Sequence, residues 1–342
     1  MLKKLISECT VDLKLHTVDP ILVKSGLATV SGPDMSFVLT YRGGRPEPYL
    51  PGSSLKGVMR SHAERIARTL RSPSACEPFW NDDIQSESQR NPARAETLWC
   101  GERFRRREKN FNKVIDNATA YKDSCPACRF FGSTYYVGRF AVSDAYLVPG
   151  SSGSLQRRDG VGIDRFTGGA SKRAKFKLEV LHDATFRCTL QIRNFEVWRL
   201  GWLAYVVQDL QDAMIHIGSG KSRGLGRVRG EVERVTVGYV VAETQQLHDE
   251  HGRARLRGIG SLAPDVAYGF ATNDEVLLPE GYAFARPTGK LRHECVFGKG
   301  NDTDLWHACA PQWDKFIAHY LVPAAMVHTQ FMAIQTEESD DE

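Results

Sequence analysis

Four glycines about two-thirds of the way along the chain set the tightest limit on its fold. They stand at Gly218, Gly220, Gly224 and Gly226, within His216-Ile-Gly-Ser-Gly-Lys-Ser-Arg-Gly-Leu-Gly-Arg-Val-Arg229. The run closes directly into Gly230-Glu-Val-Glu-Arg-Val-Thr-Val237, which reads as a strand. Glycines that precede a strand, instead of opening a helix, exclude the dinucleotide-binding fingerprint. A P-loop is excluded as well, because Ile215 stands where its first glycine would have to precede Gly220-Lys-Ser222. What remains is bare backbone able to approach a polyanion, interleaved with Lys221, Arg223 and Arg227 to reach its phosphates.

Charge elsewhere supports a polyanionic partner. The net charge is only +4, yet residues 154–177 hold seven Lys/Arg against two Asp, and residues 216–229 hold four against none. Five of the last six residues, 337–342, are acidic and read as a solvated tail. At 342 residues, 42% hydrophobic and 25% charged, the chain is globular, of one or two domains. It has no run of about 18 apolar residues and no cleavable leader pattern, so a cytoplasmic protein with no membrane partner is expected.

Cysteines in such a compartment point to metal or buried thiols instead of disulfides. Cys125 and Cys128 form a C-x-x-C turn, and Cys76 and Cys100 lie upstream in a polar, proline-bearing stretch. Four thiolates there would close a tetrahedral, structural Zn2+ site, with His62 as an alternative to one of them. The competing reading is a chance C-x-x-C with two incidental cysteines. His293, Cys295, His307 and Cys309 form two H-x-C units that could converge on a second metal, whereas Cys9 and Cys188 fall in apolar alternation and read as core.

The order of elements gives the fold class. Cys9, Val11, Leu13 and Leu15 alternate with polar residues as a half-buried strand. Pro51-Gly-Ser-Ser-Leu-Lys-Gly57 opens a helix with Ser53 or Ser54 as N-cap, its apolar side marked by Leu55, Val58, Met59, Ile66 and Leu70. A strand at 138–148, strands at 175–181 and 185–192, a helix at 197–214 and the strand at 230–237 follow. Strand, helix, strand, twice over, is a ferredoxin-like α+β unit. The helix start at Gly52–Lys56 suits a phosphate, though Gly-Ser-Ser taken alone favours an ordinary capped helix.

Three motifs in this order, Pro51-Gly-Ser-Ser-Leu-Lys-Gly57, Gly162-Ile-Asp-Arg-Phe-Thr-Gly168 and Gly218-x-Gly-x-x-x-Gly-x-Gly226, make the chain resemble the RAMP superfamily of CRISPR systems. From about residue 8 to 237 it is most similar to the backbone subunit of type III effector complexes. The resemblance implies an RRM-like palm (1–237) bearing a zinc-containing insertion (71–129) and a β-hairpin thumb (150–178), followed by a C-terminal extension (238–336) and the acidic tail. It implies CRISPR guide RNA, target single-stranded RNA and other effector subunits as partners. Gly52, Ser53, Ser54, Lys56, Arg60, Arg165, Lys221, Arg223 and Arg227 would hold guide RNA by its backbone, without reading sequence. In target-cleaving members an aspartate precedes the P-G-S-S motif, and Asp34 takes that position, where Mg2+ would support endonuclease activity on the paired target. Without the resemblance Asp34 is an ordinary turn residue after Gly32-Pro33. An inactive structural RNA-binding subunit is the alternative. A guide-processing nuclease is disfavoured, because no histidine beyond the lone His216 adjoins the glycine-rich run.

Overall fold

A computed structural model describes residues 3–26, 32–76, 100–241 and 243–321. The acidic tail 337–342 and residues 77–99 of the insertion lie outside them. The chain is a mixed α+β structure on an antiparallel sheet. Its strands are β1 (Ser7–Thr17), β2 (Leu39–Arg42), β3 (Arg45–Leu50), β4 (Gly132–Ser133), β5 (Tyr136–Val137), β6 (Phe140–Val142) and β7 (Ala145–Leu147), then β8 (Ser154–Ile163), β9 (Ala170–His182), β10 (Thr185–Arg193), β11 (Val228–Tyr239), β12 (Arg255–Arg257), β13 (Glu275–Leu277) and β14 (His293–Gly298). The helices are α1 (Gly52–Leu70), α2 (Cys100–Phe111), α3 (Asn117–Lys122), α4 (Pro126–Phe131), α5 (Val197–Gln211), α6 (Ile259–Leu262) and α7 (Asp302–His319).

The main sheet runs β14-β11-β1-β10-β7-β3-β2, with β6 also on β10. β1 is central, pairing Val11 with Leu190 of β10 and with Val235 of β11. The period of two puts Cys9, Val11, Leu13 and Leu15 inward, all fully buried, against the face that α1 and α5 cover. The expected strand at 138–148 is instead two short strands, β6 and β7, separated by Ser143-Asp144. The opposite face of the sheet is polar and pairs its own charges: Lys14 and Arg187 on Glu233, Arg234 on Asp12, and Arg193 and Arg292 on Glu8.

Residues after 238 close the same core. β14 extends the sheet beside β11, and α7 lies on α5. Trp202 and Trp313 stack at 4.3 Å, and Trp198 and Phe316 at 4.1 Å. Gly201 permits this approach: a Cβ there would lie 2.3 Å from the Cys309 carbonyl oxygen. Tyr239, at the end of β11, donates its hydroxyl to Arg257 O and accepts from Arg257 N. Asp274 accepts from Val197 N at the start of α5; its other carboxylate oxygen has no hydrogen-bond partner, and burial pushes its pKa up to about 8.

Candidate nucleic-acid interface and metal centre

The glycine-rich run folds into a pinned turn. Gly220 and Gly224, both in the left-handed region, bracket the single 3-10 turn Lys221–Arg223. Its base is held to the segment after β1 by Ser219 N on Leu22 O (2.8 Å) and Gly226 N on Pro20 O (2.9 Å). Gly218, at φ +81°, sits so close that a Cβ would lie 2.2 Å from Leu22 O. The sequence suggests bare backbone able to approach a polyanion; Gly218 and Gly226 serve tight backbone packing, and what projects is the exposed Lys221-Ser-Arg-Gly224. Arg227 is held by a bidentate pair with Asp19, at 3.1 and 3.2 Å.

α1 begins at Gly52 with Pro51 as its N-cap residue, two or three positions before the serines that the sequence suggests. Its first amide is occupied: Gly52 N donates to Asp144 Oδ1 at 2.7 Å. An acid from the β6–β7 turn thus supplies the negative charge that the positive helix end attracts. Gly52 is required by packing, since a Cβ would lie 2.5 Å from Val142 O. Ser53 is exposed and Ser54 half-buried. Lys56 is half-buried, and desolvation followed by the Arg60 charge lowers its pKa. One turn further, Arg60 points inward to Glu64, to Gly132 O and to Cys128 Sγ.

Arg65 of α1, which sequence reasoning missed, is near enough to the glycine turn for its charge to be felt there. Burial and then the nearby Arg65 charge lower the Lys221 pKa. Arg65 also contacts His62 Nδ1 at 3.1 Å, and His62 Nε2 pairs with Asp209 Oδ2 of α5 at 2.5 Å. His62 is therefore engaged away from the cysteines. Only the i, i+3 spacing of His62 and Arg65 was visible in the sequence; their partners on α5 and the glycine turn were not.

β8 and β9 form a separate two-stranded ribbon, largely exposed and basic. Its turn is set by Asp164, which accepts from Phe166 N and Thr167 N (3.0 and 2.8 Å); hydrogen bonds from Thr167 and then Phe166 lower its pKa. Arg165 and Phe166 project at the tip, Phe166 wholly exposed. Midway along the ribbon, where Phe176 pairs with Gly160, Arg223 lies over the Phe176 ring at 5.6 Å. Asp34 is next to it: its exposed carboxylate accepts from Lys177 N at 2.7 Å, and Met35 N bonds Lys177 O. Arg223, Phe176, Lys177 and Asp34 thus lie together, with Lys221 exposed on the same turn as Arg223.

The second feature is the cysteine cluster. Cys76 follows α1, Cys100 opens α2, and Cys125 and Cys128 cap and begin α4. All four are buried, and their sulfurs lie within 4.8 Å of one another. A tetrahedral Zn–S4 centre has sulfurs about 3.8 Å apart, so the set could hold a metal such as zinc. Backbone amides already point at the sulfurs: Cys76 N and Cys128 N at Cys125 Sγ (both 3.5 Å) and Cys125 N at Cys100 Sγ (3.3 Å). Hydrogen bonds among the four sulfurs pull the Cys125 thiol well below the usual range and push Cys76 and Cys128 well above it.

No three of His293, Cys295, His307 and Cys309 converge; among the described residues the four-cysteine group is the one such cluster. His307 is exposed on α7, whereas His293, Cys295 and Cys309 are buried, so spacing on separate elements did not make a site. Cys9 and Cys188 are core thiols, and burial pushes Cys188 to about 12.

A sequence model of the RAMP superfamily matches residues 14–229, more than half of the chain. The chain belongs to that superfamily, which makes it a protein of the CRISPR-associated, RNA-binding class. The match begins inside β1 and ends inside β11, enclosing α1, the cysteine cluster, the ribbon and the glycine turn, while β14 and α7 fall outside it. No curated protein matches the chain. No helix among the described residues is long and apolar enough to cross a membrane.

Proposed function

We propose that the chain is a guide-RNA-binding backbone subunit of a type III CRISPR effector complex, and that Asp34 cleaves target RNA paired to the guide. The observation that carries this reading is the pair of exposed cations on the glycine turn, Lys221 and Arg223, set beside Phe176 and Asp34 at the ribbon. Exposed cations of this kind suit a ribose-phosphate strand, which is bound through its charge. Lys56, Ser53 and Ser54 extend the path along α1, and Arg165 serves the ribbon.

In this reading residues 1–237 are a ferredoxin-like, RRM-like palm. The order β11-β1-β10-β7, with α1 and α5 on one face, supports it. Residues 71–129 are its insertion, with structural Zn2+ on Cys76, Cys100, Cys125 and Cys128. Residues 238–336 are the C-terminal extension, and other effector subunits pack around the whole in the cytoplasm. The ribbon within 150–178 is the thumb, its bare Phe166 suited to wedge beside an unpaired base.

At Asp34 one carboxylate oxygen is committed to Lys177 N, which fixes the group's orientation and leaves the other facing solvent. A single carboxylate fits Mg2+ shared with RNA phosphates and does not make an all-protein cage. Bound there, the ion would offset charge on the scissile phosphate. RNA splayed by the thumb presents its 2′-hydroxyl to the adjacent phosphorus. The 2′-oxygen loses its proton as it bonds to phosphorus, and the 5′-oxygen leaves and gains one, giving a 2′,3′-cyclic phosphate and a 5′-hydroxyl. An inactive, purely structural subunit is the second reading, favoured by the lack of any acidic cluster at Asp34 among the described residues.

The assembled complex with Asp34→Ala, given complementary RNA and Mg2+, decides between them. Lost scission with retained target binding is expected; an unchanged fragment pattern would assign cutting elsewhere.

A further inference from the structure

We infer that Arg60 is a positioning residue that ties the metal held by the cysteine cluster to the RNA-binding helix, and is not itself a phosphate contact. The inference rests on the guide-RNA reading of α1.

The guanidinium is spent in three directions. Nε donates to Glu64 Oε1 at 2.8 Å, one Nη to Gly132 O at 3.1 Å, and the other to Cys128 Sγ at 3.4 Å. Its side chain is 20% exposed. A phosphate would have to displace acceptors already in place, one of them a sulfur of the cluster.

Arg60 does not act alone. Residues i, i+4 and i+8 share a helix face, and Arg60, Glu64 and Arg68 form such a row. Glu64 bridges the two arginines, at 2.8 and 3.4 Å. Arg68 then donates to Ala75 O and Cys76 O, at 3.1 and 2.8 Å, fixing the turn that presents the Cys76 ligand. Two of the four cysteines are thus held from α1. Four thiolates around a divalent cation carry a net charge of −2, so arginines beside them also balance charge. Lys56 continues the row toward the helix start, where the RNA path runs. One helix face therefore carries RNA contact at one end and metal support at the other.

The test uses the full chain loaded with Zn2+, as wild type, Arg60→Gln, Arg60→Lys and Lys56→Gln. Zinc transfer to a chromophoric chelator is measured, together with affinity for one single-stranded RNA across a salt series. Arg60→Gln should release zinc about 10- to 100-fold more readily, with an unchanged salt slope. Arg60→Lys, which keeps charge but loses the forked geometry, should fall between it and wild type and also keep the slope. Lys56→Gln should keep its zinc and flatten the slope by about 0.7. A slope flattened by about 0.7 in either Arg60 variant overturns the inference, as does wild-type zinc retention in both. If instead wild type and Lys56→Gln bind RNA with no salt dependence while Arg60→Gln sheds zinc, the guide-RNA reading fails and the tie to the metal stands.

Discussion

Replacing Lys221 and Arg223 together by glutamine removes the two cations that project from the glycine turn while leaving its backbone anchors on Pro20 and Leu22 intact. Lys56 and Arg65 remain on α1. Each phosphate neutralised on a single strand contributes about −0.7 to the slope of log affinity against log salt. Four contacts give about −2.8, so raising salt fourfold weakens binding about 50-fold; two contacts give about −1.4 and a loss of about sevenfold. The assay is fluorescence anisotropy with a labelled single-stranded RNA at 50 to 200 mM salt, with thermal melts showing that the variant is folded. A slope equal to that of wild type would refute the assignment of this turn to the RNA path. A uniformly weaker affinity with the same slope would refute it too, because it would mean that the variant harms binding through structure and not through charge.

Two further outcomes follow from local geometry. Gly218→Ala must place a Cβ 2.2 Å from Leu22 O at a φ of +81°, so a chemical denaturation curve should show a loss of about 2 kcal/mol or more; a neutral result would contradict the pinned turn. Asp274 has a folded-state pKa of about 8, raised by burial above its unfolded value. The folded state therefore holds a proton that the unfolded state has lost, and this group makes stability fall as pH rises from about 4 to 8. Asp274→Asn, whose oxygen can still accept from Val197 N, should flatten the melting temperature between pH 5 and 8; an unchanged pH profile would argue that the carboxyl is hydrated.

Local patterns carried most of what the sequence revealed. The period of two at Cys9–Leu15 and the apolar helix at 197–214 needed no distant partner, and both are present as β1 and α5. The cysteines could be grouped because thiols in a polar stretch have few other uses, although only the packing of α1, α2 and α4 brings the sulfurs together. What stayed hidden depends on residues far apart in the chain. Asp144 takes the α1 amide from 92 residues away, Asp19 pairs Arg227 across 208, and Lys177 N meets Asp34 across 143. The inward turn of Arg60 is of the same kind: one turn after Lys56 it looks like another phosphate contact, and its partners Gly132 O and Cys128 lie 72 and 68 residues away in the chain.

The central claim is that this surface grips a ribose-phosphate strand without regard to its bases. Its most direct test compares two single-stranded RNAs of equal length and unrelated sequence, bound to the purified chain over the same salt series. The account predicts affinities within about threefold of each other and equally steep salt dependence. A preference of a hundredfold for one sequence, or binding indifferent to salt, would contradict it.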